Sequence, residues 1–170
     1  TLPFAGLARA GFIAVQLLKS LVRVGVLTEK EYECFMGSLD TVSSSMSEDF
    51  LQLSRALFLE KYGHLRPGTY DILSLRYDEA PERYFAWDSH CDDIPKIRGK
   101  DFSLSLNATN RLEVLLAEHG FEHDALSLFN FIKGAIEGRE YAKFVFTKSL
   151  SDALVLIEKL GAEYGIDKND

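Results

Sequence analysis

The chain has 170 residues, 46% of them hydrophobic and 26% charged, with a formal net charge of −7 at pH 7. That is ordinary globular composition with enough chain for a core, and the acidic balance repels phosphate backbones and argues against nucleic acid as a partner. Two cysteines, Cys34 and Cys91, are too few for a disulfide framework. No basic leader precedes an apolar run, and Gln16, Lys19, Ser20 and Arg23 interrupt the most apolar stretch, so the expectation is a cytoplasmic chain with no membrane partner.

From residue 3 to 24, Leu7, Ile13, Leu17, Leu18, Leu21 and Val24 recur at spacings of three and four, which predicts an amphipathic helix stopped by Gly25. Thr28 and Glu31 have the spacing of a capping box for a second helix. Its apolar period, through Tyr32, Phe35, Met36, Leu39, Val42, Met46, Phe50 and Leu53, runs to about residue 53, with a bend expected at Gly37 or Ser43-Ser44-Ser45. The short connection at 26–28 implies an antiparallel hairpin of these two helices. Ser54 caps a third helix over 55–62, closed by Gly63.

Residues 63–81 hold no period of either kind and are punctuated by Gly63, Pro67, Gly68 and Pro81, the pattern of an irregular loop. Residues 82–103 read as a mobile surface crossing. Helical signals return over 107–119 and end at Gly120. A last pattern runs from about Asp124 to Tyr164, as one helix or as two with a restart at Ser149 or Ser151. The fold class that follows is mainly α: one helical domain over 1–170, a bundle of about five to seven helices with one long irregular loop and little or no sheet. The start at Thr1-Leu2-Pro3 and the end at Asp167 to Asp170 read as boundaries within a longer protein.

Two segments concentrate chemistry. The loop carries His64, Arg66, Tyr70, Asp71 and Arg76; the arginine fork suits phosphate or carboxylate, and His64 and Asp71 suit proton transfer or hydroxyl orientation. The plainer reading has Arg66 and Asp71 pairing to hold the loop closed while Tyr70 and Ile72 fill the core. On the last helix, Arg139 and Lys143 are four residues apart and share a face beside Glu140, a pair able to grip an anion or to stand solvated. His119 and His123 have ligand spacing, but Gly120 breaks the helix between them. His90-Cys91-Asp92-Asp93 lacks a second ligand pair. No metal is expected. No phosphate-binding glycine loop, dinucleotide fingerprint or nucleophile elbow is present, and no catalytic residue is assigned.

The stretch Tyr62-Gly63-His64-Leu65-Arg66-Pro67-Gly68-Thr69-Tyr70-Asp71-Ile72, followed by Arg76-Tyr77-Asp78-Glu79-Ala80-Pro81, resembles a segment of phosphoenolpyruvate synthase-like enzymes and the related rifampin phosphotransferases. Ala135-Ile136-Glu137-Gly138-Arg139-Glu140 with Lys143-Phe144 is similar to the helix pair that follows in that family. Thr69 and Leu75 depart from it, where many members have glutamate and proline. The resemblance implies a full-length phosphotransferase that uses ATP and Mg and passes the phosphoryl group through a histidine outside this chain. His64 does not match the context of that histidine. This segment would be the helical linker or acceptor-binding part, with neighbouring ATP-grasp and phosphohistidine domains and a small-molecule acceptor as partners. Arg66, Arg76, Arg139 and Lys143 would then supply positive potential, His64 and Tyr70 would meet the acceptor, and Asp71 would anchor the loop. The alternative is a helical protein-interaction or scaffolding module without phosphate chemistry.

Overall fold

A computed structural model describes residues 2–87 and 102–169. Among the described residues there are seven helices and no strand: α1 (Leu2–Arg23), α2 (Glu29–Gly37), α3 (Val42–Gln52), α4 (Arg55–Tyr62), α5 (Pro81–Tyr84), α6 (Leu106–Glu118) and α7 (Ala125–Glu163). The mainly helical class expected from periodicity is the observed one. The chain divides into two compact units, Thr1–Thr41 with Lys96–Ala142 and Val42–Pro95 with Lys143–Asp170. α7 runs through both units.

The first unit is built from α1, α2, α6 and the N-terminal half of α7. Its core gathers Ala14, Leu18 and Leu21 of α1, Phe35 of α2, Leu112 and Leu116 of α6, and Phe129, Ile132 and Ile136 of α7. Each large apolar side chain enclosed this way contributes roughly 1.5–3 kcal/mol. Phe35 meets Phe102 and Phe129 edge-on, with ring centroids 5.1 and 5.3 Å away. Gly25 adopts φ 72°, the left-handed conformation that ends α1, and Arg111 of α6 donates to its carbonyl at 2.6 Å. Thr28 and Glu31 form the expected capping box of α2. At Gly11, α1 passes so close to α7 that an ideal Cβ would sit 2.6 Å from Cδ of Arg139 and 3.2 Å from the Ala135 carbonyl oxygen.

The helix expected to bend between 28 and 53 is instead two helices. The Ser38 hydroxyl donates to the Phe35 carbonyl at 2.8 Å, and the Asp40 amide donates to Glu137 of α7 at 2.8 Å. A tertiary acceptor therefore takes an amide that a continuous helix would need, just where Gly37 weakens helix propensity. α1 is also longer in its apolar character than the sequence reading allows. Its most apolar 18-residue stretch within Pro3–Arg23 has a mean hydropathy of 1.4, so the helix is long and apolar enough to cross a membrane by length and composition alone. In the first unit only its face through Ala14, Leu18 and Leu21 is enclosed, while Phe12 and Ile13 are 62% and 49% exposed.

The second unit comprises α3, α4, the 63–80 loop, α5 and the C-terminal half of α7. Phe58 is wholly buried and touches Phe50, Tyr62, Phe85 and Trp87. Arg55 lies over the Trp87 ring, 5.3 Å from its centroid. Asp49 of α3 accepts from Lys61 at 2.5 Å and from the Tyr62 hydroxyl at 2.7 Å, joining α3 to α4. Of the crossing expected over 82–103, residues 82–87 enter α5 and this aromatic cluster, while 88–101 lie outside the described residues.

Candidate functional site

The loop begins where α4 ends and is closed at its base by its own backbone. The Tyr77 amide donates to the Leu65 carbonyl at 2.9 Å and the Asp78 amide to the Gly63 carbonyl at 3.1 Å. At its tip, the Asp71 carboxylate accepts from the Leu73 amide at 2.9 Å, and the Ser74 hydroxyl accepts from the Gly68 amide at 3.0 Å. These local bonds replace the missing secondary structure and give the loop one shape.

One face of α7 receives it. Phe144, Thr147 and Ser151 recur at spacings of three and four, and Asp152 adjoins them. The His64 ring centroid lies 4.8 Å from that of Phe144, with Tyr62 on the same ring at 5.7 Å. Arg66, only 7% exposed, donates through Nε and Nη2 to the Ser151 hydroxyl at 3.3 and 3.2 Å, and through Nη1 to the Asp71 carbonyl at 3.3 Å. Arg76 donates to both carboxylate oxygens of Asp78, at 2.9 and 2.7 Å, and to Asp152 at 2.8 Å.

His64, Arg66 and Arg76 are therefore brought together against α7, with their polar groups turned inward. Arg76 is neutralised by two carboxylates, and Arg66 is spent on neutral oxygens that fasten the loop. The pairing of Arg66 with Asp71 exists, through the Asp71 main chain rather than its carboxylate. Tyr70 is 74% exposed, so it does not fill the core, and Asp71 is exposed beside it. Arg139 belongs to the first unit, where it bonds Glu140 at 2.9 Å and covers the Phe12 ring at 4.9 Å. Lys143 belongs to the second unit and is exposed. Among the described residues, His119 and His123 gather no group of three potential metal ligands around them. His119 caps α6 with its ring on the Leu115 carbonyl, Gly120 at φ 73° turns the chain, and no ligand cluster exists among the described residues. The segment His90 to Asp93 lies outside them.

Sequence reasoning missed the α7 partners Ser151 and Asp152, and Thr147, which is buried on the same face and donates to the Phe144 carbonyl. The signal was two polar residues four apart in an apolar stripe that also holds Phe144, Leu150 and Leu154; both are buried. It also missed a hollow of about 490 Å³ in the first unit, lined by Phe35, Phe102, Leu104 and Phe129 together with Ser38, Thr109, Asn130 and Lys133. Apolar and aromatic side chains with a few polar groups among them are the usual lining of a small-molecule pocket. The second unit has a mostly apolar groove of about 380 Å³ between Ile72, Ile157, Leu160, Tyr164 and Ile166, with Glu158, Asp167 and Lys168 also lining it.

Neither a family model, nor a curated protein, nor a solved structure matches the chain.

Proposed function

We propose that this chain is the helical linker and acceptor-binding part of a phosphoenolpyruvate synthase-like phosphotransferase, with the ATP-grasp and phosphohistidine domains on other parts of the same protein and ATP and Mg bound there. The observation that carries the reading is the motif from Tyr62 to Pro81. Its residues form one self-closed loop, and Tyr62, His64, Arg66 and Arg76 each meet the C-terminal half of α7. A long, specific sequence pattern is expected where every member holds a shape.

The division of labour differs from that expected of the loop alone. With Arg66 and Arg76 occupied inside the second unit, the loop serves as scaffold, and Tyr70, Asp71 and Lys143 are what it and α7 offer outward. The acceptor is better served by the hollow of the first unit, whose aromatic lining suits an apolar body and whose hydroxyl, amide and ammonium groups suit a polar one. Phosphoryl transfer rests on such positioning together with charge stabilisation by metal and cations.

The test uses the full-length protein with radiolabelled ATP and Mg. An acid-labile phosphohistidine should form outside this chain. Leu126→Trp, which fills the hollow from an exposed position on its wall, should abolish labelling of the acceptor and leave the phosphohistidine intact. Absence of any phosphohistidine sinks the proposal; unchanged acceptor labelling in the variant sinks the acceptor site.

A second reading, a protein-interaction module without phosphate chemistry, is favoured by one observation. Leu156, Ile157, Leu160, Tyr164 and Ile166 are each more than half exposed along the end of α7 and the turn after it.

A further inference from the structure

His64 is 4% exposed and its Nε2 has no hydrogen-bond partner among the described residues. A neutral imidazole tolerates that burial at modest cost, because one ring nitrogen can remain an unused acceptor. A protonated ring cannot, since it carries a second N–H and a full charge into the same enclosure. The charged groups that face it do not supply the missing partner. Lys148 of α7 and Arg76 of the loop oppose a further positive charge. Asp152, also on α7, favours one, but it already accepts from Arg76, as does Asp78. The Phe144 carbonyl is the remaining favourable group, and the Phe144 ring packs on the imidazole. Arg66, two residues along the loop, adds another buried cation bound to neutral oxygens alone.

We infer that His64 is a proton-operated latch: neutral, it seats the 63–78 loop against the C-terminal half of α7, and on protonation it releases that loop. The inference stands apart from the phosphotransferase reading, since it needs only the loop and the helix. Burial first, then Lys148 and Arg76, lower the ring's proton affinity from its ordinary 6.5 when the loop is seated. The released ring titrates at the ordinary value. The seated state is therefore fully favoured above pH 6.5 and loses ground as pH falls below it, until the seated ring itself protonates.

The measurement is amide hydrogen exchange of Tyr77 and Asp78, whose amides close the loop, corrected for the intrinsic pH dependence of exchange. Between pH 7.5 and 5.5 their protection should fall in the wild type, by at most about tenfold, the limit the linkage relation sets for a free ring at 6.5. In His64→Gln it should stay level over the same range. A flat wild-type profile overturns the latch, and so does an equal acid loss in the variant. Should the variant fail to fold, the wild-type imidazole resonance decides alone. Titration below 6.5 together with falling protection supports the latch; titration at or above 6.5 with protection retained overturns it.

Discussion

Gly11 and Gly6 lie five residues apart on α1, yet they should answer the same substitution with opposite signs. A methyl group at Gly11 meets Arg139 and the Ala135 carbonyl of α7, and nothing lies within 4 Å of the same atom at Gly6. Gly11→Ala should destabilise the first unit by about 1–3 kcal/mol through overpacking. Gly6→Ala should stabilise it by about 0.5–1 kcal/mol, because a helical position loses backbone freedom in the unfolded chain. Urea denaturation followed by circular dichroism separates the two. Asp49 gives a residue-scale prediction for acid. Hydrogen bonds from Lys61 and then Tyr62 hold its carboxyl below the ordinary 3.8. A folded value below the unfolded one means the stabilisation is present above pH 3.8 and is lost as pH falls through the folded value. Asp49→Asn should therefore lower stability at neutral pH and flatten the acid limb of the stability profile below about pH 4.

At the scale of the elements, local signals and long-range partners divide what was legible. Thr28 with Glu31, Ser54, Gly25 and Gly120 mark helix ends through groups that act within four residues, and the ends fall there. Thr28→Ala should cost about 1 kcal/mol, read as a lower urea midpoint at unchanged slope. The break at 38–41 was not legible, because it depends on Glu137, 97 residues away from Asp40. The continuity of α7 was left open for a related reason: Gly134, Gly138, Ser149 and Ser151 all weaken helix propensity locally. Burial on the two units overrides them, and Ser151 becomes an enclosed acceptor for Arg66 instead of a cap. Ala142→Pro, in the middle of that helix, should cost about 3 kcal/mol or more and lower helical ellipticity. The loop was legible as irregular and as chemically dense. The closing of the loop by Arg66 on Asp71 was one of its two readings, but the acceptors at Ser151 and Asp152 were not legible, since they come from a helix more than 70 residues on.

For the molecule as a whole, composition and periodicity were enough for the helical class, whereas the division into two units was hidden because its boundary runs through the interior of a helix. That division gives the chain's single tryptophan an unusual standing. Trp87 sits among Phe50, Phe58 and Phe85 with a guanidinium over its ring, all within the second unit. Phe58→Ala, which removes the wholly enclosed centre of that cluster, should cost about 3–5 kcal/mol and shift the emission transition. The indole is thus an optical witness stationed in one half of the protein, whereas ellipticity sums over both. Any gap between the two melting curves would measure how independently the halves come apart.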